Sequence, residues 1–151
     1  MLLAYRLPRE PSTPRIALWR KLRRLGAAQV VDGLAALPLD ARNREQLEWL
    51  AEGVTEAGGE ATIWLGELAS AAQERELAAL MAQAIAVEYR ALIADATAAR
   101  DVPPGQQRRT LARLRRELRR VRARDYFPLR ERELAQQAVE ELIALVEQPV
   151  S

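Results

Sequence analysis

The chain has 151 residues, of which 49% are hydrophobic and 29% charged, enough to bury a domain core and too apolar for a disordered polyelectrolyte. It holds no cysteine and no histidine, which excludes disulfides, thiolate nucleophiles, Ser-His-Asp triads, imidazole bases and His/Cys metal sites. The net charge of +2 hides a segregation: residues 1–26 carry seven basic and one acidic side chain, 27–107 five and thirteen, 108–124 nine arginines against Glu117, and 125–151 two and six.

Leu2 to Leu7 alternates in polarity and predicts a strand, with Leu3, Tyr5 and Leu7 on one face. Thr13-Pro14 predicts a helix start, and the helix runs to Leu25 with Gly26 as its stop. Its buried stripe is expected to be Leu18, Trp19, Leu22 and Leu25, with Trp19 packed on a sheet. Ala28–Val31 and Leu34–Leu37 flank Asp32-Gly33 as a hairpin, closed by Pro38. Asp40 caps a second helix through Leu47, Leu50, Ala51 and Val54; Gly58-Gly59 ends it, and Glu60–Leu65 reads as the last strand.

Strand, helix, hairpin, helix, strand is the βαββαβ order of a ferredoxin-like sandwich, complete by residue 66. Beyond it, helices are predicted over 69–100, 107–124 and 130–146, the first with Leu77, Leu80, Met81, Ala84 and Ala91 on one side. Asp101-Val102-Pro103-Pro104-Gly105 breaks the first from the second. The expected architecture is therefore α+β: a ferredoxin-like subdomain at 1–66 and an α-helical extension at 67–151 packed on it, together one compact unit. The longest weakly polar stretch, Ala78–Val87, is too short to span a bilayer, and the first residues lack the pattern of a secretory leader. The expectation is a cytoplasmic protein with no membrane partner.

Several motifs point to a family. Leu3-Ala4-Tyr5-Arg6-Leu7-Pro8, Pro11-Ser12, Arg15, Trp19-Arg20-Lys21-Leu22, Leu25-Gly26-Ala27 and Asp32-Gly33 resemble the N-terminal domain of ChrB, a family of chromate-resistance regulators. The resemblance continues through Gly58-Gly59-Glu60-Ala61-Thr62, Glu88-Tyr89-Arg90 and Arg122-Ala123-Arg124-Asp125-Tyr126-Phe127, over nearly the whole chain. It implies a regulator of transcription, and in ChrB proteins a second domain associated with chromate resistance follows this one. The opening half also resembles, more distantly, the ferredoxin-like module of PaaX-type repressors and of CRISPR adaptation nucleases. Those nucleases that cut carry an aspartate at the end of the first strand, where this chain has Tyr5-Arg6-Leu7. The expectation is a protein without catalytic residues, metal or cofactor.

The segment 107–124 carries most of the functional information. Leu111, Leu114, Leu118 and Val121 form a narrow apolar strip, and nine arginines occupy the remaining circumference. Guanidinium forks pair with phosphate oxygens and release counterions, so such a face suits nucleic acid; the competing reading is a solvated or internally paired face. For internal pairing, Glu88 and Asp95 are the candidates, opposite Arg115 and Arg122 if the Pro-Pro-Gly connector makes an antiparallel hairpin. At least one of the two is expected to pair with Arg108, Arg115, Arg119 or Arg122. That leaves Arg109, Arg113, Arg116, Arg120 and Arg124 as candidates for nucleic acid or another anion. Arg15 and Arg20 on the first helix form a second candidate set, with chromate or another oxyanion as a conceivable ligand. Asp125-Tyr126-Phe127-Pro128 reads as a terminating turn whose aromatics pack inward. DNA, an oxyanion and a second copy of the chain are the partners this reading allows, against a scaffold or dimerisation module whose arginines are structural.

Overall fold

The computed structural model describes residues 1–148. Its elements run β1 (Leu2–Arg6), α1 (Thr13–Leu25), β2 (Ala28–Val31), β3 (Leu34–Ala36), α2 (Ala41–Glu56), β4 (Glu60–Trp64), α3 (Ala71–Ala98), α4 (Pro104–Ala123) and α5 (Arg130–Val146). A 3-10 turn, Ala99–Asp101, follows α3. Among the described residues the protein is thus mixed α+β and mostly helical, with five helices and one four-stranded antiparallel sheet. Two compact units divide it, Met1–Met81 and the segment from Ala82 onward, so the first unit runs beyond residue 66 to include the opening turns of α3.

In the first unit the strands lie in the order β2-β3-β1-β4, every neighbouring pair antiparallel. Alternation selects the buried face: Leu3 is fully buried and pairs with Ala35 and Ile63, while Leu2 and Ala4 are half-buried. Helix α2 lies against β1, β4 and α1, and contributes Leu47, Leu50 and Val54 to the core beside Leu18 and Leu22 of α1. Its start is fixed by Asp40, whose carboxylate accepts the Asn43 N–H at 2.7 Å. Asn43 is buried and donates its side-chain amide to the Pro38 carbonyl at 3.1 Å, joining the cap to the end of the hairpin.

Trp19 departs from expectation. Only Leu18 and Leu22 of α1 are buried, and Trp19 is 53% exposed with the Arg23 guanidinium 5.2 Å from its ring centroid. At about 100° per residue it stands on the flank of the Leu18–Leu22 line, and α1 buries only that line. Trp49 and Trp64 are also more than half exposed.

In the second unit the core joins Ile85, Tyr89, Leu92 and Ala96 of α3 to Leu111, Leu114, Leu118 and Val121 of α4 and to Ala135, Val139 and Leu142 of α5. The buried side of α3 is rotated about one residue from the expected one: Ala84 and Ala91 are exposed, and Leu80 is 70% exposed. Apolar residues surround this helix, so small alanines do not set its phase; Ile85, Tyr89 and Leu92 do. On α5 Ala135, Val139 and Leu142 are buried and Leu134 is exposed. Helix α4 begins three residues earlier than expected because Pro104 occupies the first helical turn, where its missing N–H has no partner to lose. Ala71–Asp101 is also long and apolar enough, by length and composition, to cross a bilayer, which the shorter Ala78–Val87 stretch is not. Its C-terminal half buries its apolar side in the core just described.

Two glycines give a contrasting test. A Cβ on Gly59 would lie 2.2 Å from the Arg6 carbonyl oxygen, whereas one on Gly53, inside α2, meets nothing within 4 Å. Gly59→Ala should destabilise the first unit by about 1–3 kcal/mol, and Gly53→Ala should stabilise it by about 0.5–1 kcal/mol. Urea unfolding followed by circular dichroism measures both, and equal effects would contradict the backbone packing at Gly59.

Candidate nucleic-acid interface

Helix α4 turns its apolar strip inward and holds nearly all its arginines outward. Arg108, Arg109, Arg113, Arg115, Arg116, Arg119, Arg120 and Arg122 are exposed, and Arg124 is half-buried. With about 100° per residue, the strip separates two flanks. Arg113, Glu117 and Arg124 share one; Arg108, Arg115, Arg119 and Arg122 lie towards the other. Arg109, Arg116 and Arg120 fall within about 40° of one another on the outer side.

The α3 carboxylates meet the first flank. Arg113 pairs with Asp95 at 3.3 Å and with Glu117 of its own helix at 2.9 Å. Its hydrogen bond to Glu117 is the main cause that raises its pKa above the usual guanidinium value. Arg124 pairs with Glu88. Both carboxylates are therefore ion-paired, as expected, but through Arg113 and Arg124 rather than Arg108, Arg115, Arg119 or Arg122. The reason is the side on which α3 packs. Arg122 on the opposite flank donates to Gln136 of α5 at 2.8 Å, so α5 holds the position that the sequence reading gave to α3. Arg115 has no ion pair among the described residues.

One buried polar contact ties this arrangement together, and the sequence reading did not single it out. The Tyr89 hydroxyl donates to Asp125 Oδ2 at 2.8 Å; Tyr89 is 1% exposed and Asp125 9%. Burial, and then the bond to Asp125, push the Tyr89 phenol well above its ordinary pKa of 10. Glu88 and Arg90, on either side of Tyr89, reach Arg124 and Glu131 respectively, the latter at 3.3 Å. Three consecutive residues of α3 thus engage the end of α4 and the start of α5. The signal available in the sequence was Tyr89 as the one aromatic of α3, together with a lone carboxylate directly after the arginine run. In the turn itself Asp125 is the buried residue, whereas Phe127 is 38% exposed and Tyr126 half-buried.

After internal pairing, Arg108, Arg109, Arg115, Arg116, Arg119 and Arg120 have no ion pair among the described residues. Arg109 to Arg120 spans about 16 Å along the helix axis at 1.5 Å per residue, an unneutralised cationic ridge. Of the expected anion set, Arg109, Arg116 and Arg120 remain available, while Arg113 and Arg124 are engaged. Arg120 also lines a groove of about 310 Å³ with Glu88, Asp95, Glu117 and Arg124. In the first unit, Arg15 and Arg20 do not converge: Arg15 lines a cleft of about 730 Å³, and Arg20, although exposed, is not part of its wall. Among the described residues, no group of three Asp or Glu side chains is placed to hold a metal ion.

Comparison with known protein families gives a match. The family model described as Protein ChrB, N-terminal, covers residues 15–101, more than half of the chain, and ends just before α4. No curated protein matches. No solved structure matches either, and the distant likeness to PaaX-type repressors does not emerge from these comparisons.

The Tyr89–Asp125 contact makes a definite prediction. Tyr89→Phe leaves a buried carboxylate without its donor and should cost about 1–3 kcal/mol. Because the folded state holds the phenol proton more tightly than the unfolded chain, the wild-type protein keeps this contribution below about pH 10 and loses it as pH rises further. Urea midpoints between pH 8 and 11 should fall on the alkaline side for the wild type and lose that component in Tyr89→Phe. Equal alkaline slopes would refute the assignment.

Proposed function

The chain belongs to the ChrB N-terminal family, and from that premise we propose that it is a regulatory module of chromate resistance that acts on nucleic acid through α4. The observation that carries the reading is the ridge of exposed guanidiniums left after Asp95, Glu117 and Glu88 have taken Arg113 and Arg124. A helix with this much uncompensated charge neutralises phosphates and so releases the cations condensed on the nucleic acid. Arg109, Arg116 and Arg120 project together and form the phosphate-contacting row, with Arg115 and Arg119 beside it. The paired arginines hold α4 in place and so set the direction in which that row points.

In the same proposal the first unit is a ferredoxin-like βαββαβ sandwich, the protein works in the cytoplasm without catalysis, and its partner is duplex DNA. A scaffold or dimerisation module is the second reading. Its support is the share of the arginine cluster already spent on Asp95, Glu117, Glu88 and Gln136.

Fluorescence anisotropy with a labelled DNA duplex at several salt concentrations separates the two. The wild type should lose affinity steeply with salt, and Arg109→Glu/Arg116→Glu/Arg120→Glu should flatten the log–log slope by about 2–3, near 0.9 for each lost phosphate contact. Because these positions are exposed and unpaired, the triple variant should keep the wild-type circular dichroism spectrum and urea midpoint. An unchanged slope would overturn the DNA reading and leave the scaffold.

A further inference from the structure

The cleft of about 730 Å³ in the first unit has no α4 residue in its wall and is built from β1, the segment after it, the first half of α1 and the β2–β3 hairpin. Its wall combines two chemistries. Tyr5, Ile16 and Trp19 give it an apolar, largely aromatic side, and Arg9 and Arg15 bring guanidiniums that have no ion pair among the described residues. The third arginine of the wall, Arg6, is held by Glu60 at 2.8 Å.

Trp19 is the largest side chain of the wall. A core tryptophan would be covered, yet this one keeps half its surface exposed on the cleft. Arg23, which lies over the ring, is not among the lining residues, so that cation is not part of the cleft wall. An electron-rich ring presented this way stacks well on a planar heteroaromatic group. The two free guanidiniums suit a dianionic group such as a phosphate monoester, since each fork takes two oxygens. Asp32, on the hairpin side of the wall, accepts hydrogen bonds only and calls for a donor on the ligand, such as a hydroxyl or exocyclic amine. A bare tetrahedral oxyanion would use Arg9 and Arg15 and leave Trp19, Tyr5 and Asp32 idle in a space far larger than itself.

We infer that this cleft binds a nucleoside monophosphate group, with the base stacked on Trp19 and the phosphate held by Arg9 and Arg15. The same group occurs as a free nucleotide and as the 5′-phosphorylated end of a nucleic-acid strand. This inference does not depend on α4 and stands or falls separately from the DNA reading above.

The test titrates adenosine 5′-monophosphate into the ¹⁵N-labelled full chain and follows the indole N–H signals of Trp19, Trp49 and Trp64. The Trp19 signal should shift saturably while Trp49 stays in place. Adenosine, inorganic phosphate and chromate should each bind about tenfold or more weakly than the nucleotide, because stacking and charge are then no longer combined. Trp19→Ala and Arg9→Ala/Arg15→Ala should each weaken the nucleotide by a similar factor, Trp19→Phe by less, and Arg109→Glu/Arg116→Glu/Arg120→Glu not at all. Tighter binding of a 5′-phosphorylated single strand than of its 5′-hydroxyl form and of the free nucleotide identifies a strand end as the source; the reverse identifies the free nucleotide. An unmoved Trp19 signal, or chromate or phosphate binding as tightly as the nucleotide, would overturn the inference.

Discussion

The buried bond from Tyr89 to Asp125 is the constraint on which the second unit depends. A carboxylate in a nearly dry position is tolerated only with a donor, and the donor here comes from the centre of the buried face of α3. That requirement sets the rotation of α3 and the point at which α4 ends. With Tyr89 inward, Glu88 and Asp95 lie about 100–120° to the same side of it, where they meet Arg124 and Arg113. Arg90 lies on the other side and meets Glu131. The ion pairs are partly exposed and contribute little individually; their importance is that they leave α4 one orientation.

Orientation is what makes the arginine cluster a surface. A run of nine arginines could satisfy them all against acidic neighbours, and the chain has enough carboxylates to do so. Instead, Glu88, Asp95 and Glu117 engage Arg113 and Arg124, and Gln136 takes Arg122. The remaining guanidiniums of the cluster form no ion pair among the described residues. Structural and recognition roles are thus divided within one helix by angle around its axis: the flank facing α3 is neutralised and the outer face is not. The first unit repeats the theme on a smaller scale, with Arg6 closed by Glu60 while Arg9 and Arg15 stay unpaired on the wall of the cleft.

Much of this was legible from residues alone. The capping carboxylate of Asp40, the glycine of the Asp32-Gly33 turn with its φ of 80°, the stop at Gly26 and the proline-bounded break before α4 are local devices, and each element they bound appears. The narrow strip Leu111, Leu114, Leu118 and Val121 was equally plain, because arginine leaves no ambiguity about which side is apolar. The phase of α3 was not. Its alanines and leucines encircle the helix, so hydrophobicity alone marks no single face, and the aromatic volume of Tyr89 decides the matter only once α4 and α5 are present to enclose it. Trp19 stays exposed for a related reason: size favours burial, yet α1 covers only the Leu18–Leu22 line.

Local sequence is enough to place the helices and strands in their order along the chain, to surround one apolar strip with a concentrated arginine run, and to show that two acids on the preceding helix need cations. Periodicity and capping act over a few residues and need nothing distant. It did not determine which flank of the strip would meet those acids. A three-helix arrangement can place its first and third helices on either side of the second with the same apolar stripes buried, and that choice rests on packing volume and on a single buried hydroxyl–carboxylate bond between residues 36 positions apart. Only the tertiary structure made it, and in doing so it separated the arginines that hold the fold from those that face outward.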